Sequence, residues 1–199
     1  MLGAAQEAWL FDQFAASVKR RQRWQLVAQQ VLIGNIVVPP DATTAWLGGE
    51  GSRRWQQRLT VGVAAGRYRI GHKLDMWDGY PAARARMLGA AQNAGANLVT
   101  LAGDSHNAWA FNLSTGGRPA GVEFATPGVT SPGLESELRG ISADGLAASL
   151  KAGNPQLAWV DTSRRGYMTV TLTPDAARCD WTLLDSVRTR GVGAATRTM

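Results

Sequence analysis

The sequence predicts an α/β fold with a sheet-on-sheet core flanked by helices. Three observations carry this reading. Helix-like and strand-like segments alternate in the first two-thirds of the chain, and strands dominate thereafter. At 199 residues and 45% hydrophobic composition the chain can bury one sizeable core. Its Gly/Pro clusters mark loops rather than a linker between domains, and no internal repeat is visible.

The elements follow in order. Leu2, Trp9, Leu10, Phe14 and Val18 share one helical face, which predicts an amphipathic helix ending before Lys19-Arg20-Arg21, cations suited to the negative end of a helix dipole. Residues 24–28 read as a strand, 31–33 continue it or turn the corner, and Pro39-Pro40 closes the element. From 41 to 71 the glycines at 48, 49, 51, 62 and 66 break every long period. This stretch reads as an insertion or long surface loop in which Trp46 and Trp55 must still find cover. Pro81 opens a helix through Met87, Leu88 and Ala91 that stops at Gly95 and feeds a strand over 97–102. Short strands over 109–113 and 122–125 flank a turn at 115–119, the pattern of an antiparallel hairpin. A small helix over 142–151 ends at Gly153-Asn154-Pro155. Segments 157–160, 167–172 and 179–184 form a three-strand run, and from Ser186 the polar tail is expected to fray.

Composition excludes several classes. No apolar run approaches the roughly 18 residues of a membrane span, and the N-terminus lacks the basic, apolar and small-residue regions of an export signal. The lone Cys179 cannot form an internal disulfide and reads as a small core or edge residue rather than a nucleophile. The net charge of +6 is nearly all arginine, which suits an anionic substrate or partner but also fits an Ala-, Gly- and Arg-rich composition. No basic run with interleaved aromatics marks a dedicated nucleic-acid face.

The chemistry concentrates in Gly103-Asp104-Ser105-His106-Asn107-Ala108-Trp109, directly after the apolar 97–102 strand. Gly103 lets the chain turn, so Asp104 and His106 project where the strands of an α/β sheet open onto a ligand crevice. A carboxylate supplies hard oxygen donors and a neutral imidazole a borderline nitrogen donor, so the pair can hold part of a divalent or ferric centre. The plainer alternative is that Asp104 caps a turn and His106 is an ordinary half-buried histidine.

Three further stretches flank this motif: Asp75-Met-Trp-Asp-Gly-Tyr-Pro-Ala-Ala-Arg84, Gly121-Val-Glu-Phe-Ala-Thr-Pro-Gly-Val-Thr-Ser-Pro-Gly133 and Arg164-Arg-Gly-Tyr-Met168. With Met1-Leu-Gly-Ala-Ala-Gln-Glu-Ala-Trp-Leu10 at the start, the chain resembles the C-terminal half of a PhoD-like alkaline phosphatase from about Leu2 to Asp185. The resemblance implies a partial four-layer α/β/β/α sandwich of the metallo-dependent phosphatase type, spanning residues 1–187 with a polar tail over 188–199. It implies hydrolysis of phosphate mono- or diesters with calcium and iron as cofactors, and Asp104 and His106 as metal ligands. The family's remaining ligands lie mostly in its N-terminal half, so the isolated chain is not expected to bind the metals, and that missing half becomes a candidate partner. The alternative is a non-catalytic remnant or interaction module that keeps the sandwich without a complete site. The motif runs smoothly from Met1, which can be an internal methionine. Export of family members implies a periplasmic or secreted location for the parent protein.

Other candidates are weighed against structural roles. His72 lacks ligand spacing and reads as a surface or loop histidine. Asp75 and Asp78 read first as a capped turn ahead of the Pro81 helix, and second as part of a phosphate lid. Glu123 lies in a strand and points either to a site or into solvent. Residues 126–133 resemble the family's rigid loop near the site. Arg165 is the candidate substrate-binding residue, because Arg suits bidentate phosphate recognition, although Arg-Gly-Tyr can equally seat Tyr167 in the core. Gln156 stands where the family often has the histidine of Asn-Pro-His, and glutamine cannot carry a proton at neutral pH.

Overall fold

A computed structural model describes residues 2–49, 53–191 and 193–199; Met1 and Gly51, both used in the sequence reading, lie outside them. Four helices, α1 (Ala4–Lys19), α2 (Arg53–Arg67), α3 (Pro81–Ala94) and α4 (Ala143–Gly153), accompany two sheets. The first sheet joins β1 (Gln25–Ala28), β2 (Leu98–Ala102), β4 (Arg118–Ala125), β3 (Ala108–Thr115) and β5 (Leu157–Asp161) in the order β1-β2-β4-β3-β5. β1, β2 and β4 run parallel, and β3 is antiparallel to both its neighbours. The second sheet is the antiparallel β6 (Arg165–Leu172), β7 (Ala177–Leu184) and β8 (Ala194–Thr198).

Alternating side chains send the two faces of the first sheet into different cores. One face meets the helices and the 32–47 segment, with Phe14, Ile33, Leu47, Leu88, Phe111 and Leu146 buried there. The other meets the second sheet through Val99, Ala110, Phe124, Cys179, Trp181 and Leu183. Trp181 anchors this inter-sheet layer: it contacts Phe124 edge-on at 5.7 Å and Trp159 at 4.8 Å, and its indole donates to the Ala125 carbonyl at 2.9 Å. Helices, first sheet and second sheet thus make three layers of the expected sandwich.

Local chemistry explains the boundaries. α3 carries Pro81 in its first turn and ends at Gly95, whose φ of +70° costs a glycine nothing. Ser142 caps α4 by accepting from the Gly145 amide. The β3–β4 turn uses Gly116 and Gly117, both at positive φ, as a two-residue hairpin demands.

Several expectations change. Residues 41–71 hold helix α2 and a 3-10 turn at Thr44–Leu47; Gly62 and Gly66 lie on the packed side of α2 against Val38, where small residues permit close approach. Segment 31–33 turns the corner rather than extending β1. The strand at 157–161 pairs with β3, not with β6, so the expected three-strand run divides between the two sheets. The tail does not fray over 194–198: β7 offers an unpaired edge, and β8 fills it, with Met199 and Cys179 exchanging backbone hydrogen bonds at 2.9 Å. Cys179 itself is buried, and burial first, then the charge of Asp180, pushes its thiol up to about 12.

Candidate functional site

The segments leaving β1, β2 and β4 meet at the carboxyl end of the parallel strands. The Gly103 amide donates to the Gln30 carbonyl and the Thr126 amide to the Ala102 carbonyl, both at 3.0 Å. This is where open α/β sheets place ligands. Asp104 and His106 sit here, exposed, with left-handed φ values of +54° and +59°. Asp and His are among the residues that tolerate this region best, yet each costs on the order of 1–3 kcal/mol and needs surroundings that enforce it. Ser105 between them is buried; its hydroxyl donates to the Asn107 carbonyl at 3.2 Å and accepts from the Trp109 indole at 2.8 Å. The alternation exposed, buried, exposed turns both candidate ligands outward.

The donor atoms are open. The Asp104 carboxylate has no hydrogen bond or ion pair among the described residues, so it caps nothing. Among the described residues His106 makes one ring contact, Nδ1 to the Pro132 carbonyl at 2.9 Å, and its Nε2 has no partner. A hard oxygen and a borderline nitrogen suit a share of a calcium or ferric centre. Among the described residues no third His, Cys, Asp or Glu joins them in a metal-holding group. The donors present therefore fit a metal, but only as part of its shell.

The third predicted residue, Arg165, comes to the same place by a different route. It opens β6, is 4% exposed, and donates to the His106 carbonyl at 2.7 Å, to the Arg164 carbonyl at 3.1 Å and to the Ser163 carbonyl at 3.2 Å, while pairing with Glu135. Its guanidinium is occupied beneath the loop.

Sequence reasoning missed Asn107, Pro132 and Glu135. Asn107 is fully buried, its Oδ1 accepts from the Leu134 amide at 3.2 Å, and its Nδ2 has no partner. Its side chain fills the space over Gly133, where an added Cβ would come within 2.4 Å. The Gly133 amide donates to both carboxylate oxygens of Glu135 at 3.1 Å. Only the glycines and prolines of 127–133 hinted at this constrained loop.

The remaining candidates lie elsewhere. Asp78 does not cap α3, which has Tyr80 at its N-cap and no side-chain cap bond; it accepts from Asn35 and from the Ile36 amide, and burial raises its pKa. Asp75 is exposed on the same connection. His72 is exposed, with its Nδ1 near Gly62 of α2; desolvation first, then Lys73 and Arg58, lowers its pKa. Glu123 points neither to the site nor to solvent. It is fully buried under the helical layer, accepts from the Ile33 and Gly34 amides at 2.8 and 2.7 Å, and burial pushes its carboxyl up to about 7. Gln156 bonds Arg84 and Ser114 through its side chain and accepts from the Asn112 amide through its carbonyl, four to six residues along β3 from the Ala108 end and away from the His106 loop.

Helices over a two-sheet sandwich, with an acid–histidine loop at the carboxyl end of a central strand, are the arrangement that the resemblance led us to expect. The family model for PhoD-like phosphatases matches residues 1–181, and the chain belongs to that family. It is 28% identical over 203 residues to alkaline phosphatase D of Bacillus subtilis (strain 168), across 99% of this chain and 29% of that protein. A solved structure described as that of PhoD superposes with a TM-score of 0.69 at 24% identity, covering 99% of this chain and 32% of the other, which supports the fold. The chain thus spans under a third of the relatives it matches. Among the described residues no helix is long and apolar enough to cross a membrane.

Proposed function

We propose that this chain is the C-terminal part of a metal-dependent phosphate mono- or diester hydrolase, in which Asp104 and His106 complete a centre whose other ligands come from the N-terminal part. The observation that carries this reading is the pair of outward, strained and unclaimed donors on one loop of a PhoD-like fold. Calcium and iron are the metals the resemblance implies. When bound, such ions polarise the phosphoryl oxygens, lower the pKa of the attacking water and neutralise charge on the leaving oxygen. Asp104 would contribute negative charge and oxygen donors, and His106 its free ring nitrogen. Arg165 would serve the site by supporting the loop from beneath, with its guanidinium already committed. A phosphate ester is the substrate class, and a periplasmic or secreted location belongs to the parent protein.

The test is reconstitution with the N-terminal part, fused or supplied as a second chain. Asp104→Asn and His106→Ala should each abolish metal retention, by elemental analysis, and phosphatase activity. Asparagine keeps the size but loses the charge that offsets the ion, whereas a turn residue would tolerate it at a cost of about 1 kcal/mol or less. Retained metal and a rate within a few-fold of the parent in Asp104→Asn would refute the assignment.

The second reading, a sandwich retained without chemistry, draws on the incomplete donor set and on the amide at Gln156. The coding sequence upstream of Met1 separates the two: a segment encoding the remaining ligands favours the hydrolase, and unrelated sequence the remnant.

A further inference from the structure

The His106 imidazole is one link in a closed circuit of hydrogen bonds and backbone. Its Nδ1 faces the Pro132 carbonyl; the next amide, Gly133, is held by the Glu135 carboxylate; Glu135 pairs with Arg165; and Arg165 returns to the His106 carbonyl. Three chain segments that leave β2, β4 and β5 are tied by it, and the Gly166 amide adds a bond to the Gly128 carbonyl at 3.1 Å. A carbonyl oxygen can only accept, so the ring nitrogen facing Pro132 must carry the hydrogen. Free imidazole modestly prefers hydrogen on Nε2, a preference that one well-held hydrogen bond is enough to reverse.

We propose that Pro132, Glu135 and Arg165 are positioning residues that lock His106 in the Nδ1–H tautomer, with its Nε2 lone pair turned outward as the ligating atom. Arg165 thereby acts through the histidine rather than on the substrate. The arrangement follows a general demand of metal sites, in which the second ring nitrogen of a histidine ligand is fixed by an outer partner that sets both tautomer and ring orientation. Glu135 is the keystone. It holds the Gly133 amide, and so the adjoining Pro132 carbonyl, in place, and it compensates the buried guanidinium. Removing its charge weakens the hold on the Gly133 amide and the adjoining carbonyl, and leaves the buried guanidinium without its counter-charge. The inference rests on the reading of His106 as a metal ligand.

The chain contains only His72 and His106, so histidine tautomers can be read directly. Long-range proton–nitrogen correlation spectra of the metal-free chain, labelled with 15N-histidine and recorded where the rings are neutral, should give His106 a hydrogen on Nδ1 and a bare Nε2. His106→Gln assigns the signals, and His72 serves as internal reference. In Glu135→Gln the two nitrogen shifts of His106 should move toward each other as the second tautomer becomes populated, with His72 unchanged. If Glu135→Gln does not fold, Glu135→Asp, which keeps the charge and withdraws it by one methylene, must produce the same convergence. Hydrogen on Nε2 of His106 in the parent chain overturns the proposal, as does a His106 pattern that neither folded variant alters. Because the spectra use metal-free protein, these results stand apart from the ligand assignment. An opposite tautomer sinks the ring and leaves the Asp104→Asn experiment in force, and failure of that experiment leaves the tautomer where the spectra find it.

Discussion

At the scale of single residues the buried carboxylate of Glu123 makes a measurable statement. Its carboxyl stands at about 7 in the folded chain against 4.5 as its ordinary value, because desolvation outweighs the two amide hydrogen bonds, the Thr100 hydroxyl and the charge of Arg84. The folded state holds the proton more tightly than the unfolded state. Its contribution is therefore fully present below about pH 4.5 and is lost as pH rises through about 7, amounting to roughly 3 kcal/mol at most. Glutamine cannot ionise. Thermal melts at pH 5 and pH 8 should show a larger fall in Tm for the parent than for Glu123→Gln, and parallel profiles would mean that the site is polar enough to tolerate the charge. Asp78, whose carboxyl is also raised by burial, contributes a slope of the same sign, which the comparison cancels.

At the scale of elements, the second sheet is held to the first through a layer centred on Trp181. The side chain is fully buried and spends its indole N–H on the carbonyl of Ala125, the last residue of β4 before the 126–134 loop. Trp181→Phe removes ring volume and the donor together, and should cost about 2–4 kcal/mol, read as a lower urea midpoint at unchanged m-value. Trp159, half-buried on β5 with Arg197 of β8 over its ring at 5.9 Å, should lose less on the same change. Equal losses would show that the layer has no centre.

At the scale of the whole molecule, sheet edges decide how the isolated chain behaves. β1 is an outer strand of the first sheet and β6 of the second, with Leu26 49% and Tyr167 57% exposed. Unpaired backbone beside exposed apolar side chains invites edge-to-edge association. Size-exclusion chromatography with light scattering should find oligomers, and Leu26→Lys should shift them toward monomer; a monomeric parent chain with a cooperative melt would show that the two sheets suffice alone. The same chain, given iron and calcium at alkaline pH, should hydrolyse p-nitrophenyl phosphate no faster than buffer, because two donors cannot hold a multi-metal centre against water. Turnover that disappears in Asp104→Ala would contradict this.

Much of the architecture is legible in the sequence because it rests on local rules. Pro81 and Gly95 bound α3, Ser142 starts α4, Gly116-Gly117 turns the β3–β4 hairpin, and the apolar run before Gly103 is a central strand. The same applies to the outward pair Asp104 and His106, which two left-handed residues around one buried serine project from the end of that strand. Local rules failed where partners lie far along the chain. Helix α2 hides behind glycines that serve packing against Val38, and the polar tail becomes a strand only because β7 offers it an edge. Tertiary structure alone assigned the charged groups: Glu123 sits 90 residues from the Ile33 amide it binds, and Arg165 meets His106 and Glu135 across 59 and 30. Sequence by itself determined which residues could act and at which strand end they stand. The fold decided which were spent on holding the loop and which were left open, because hydrogen-bond partners are allotted by space and not by spacing along the chain.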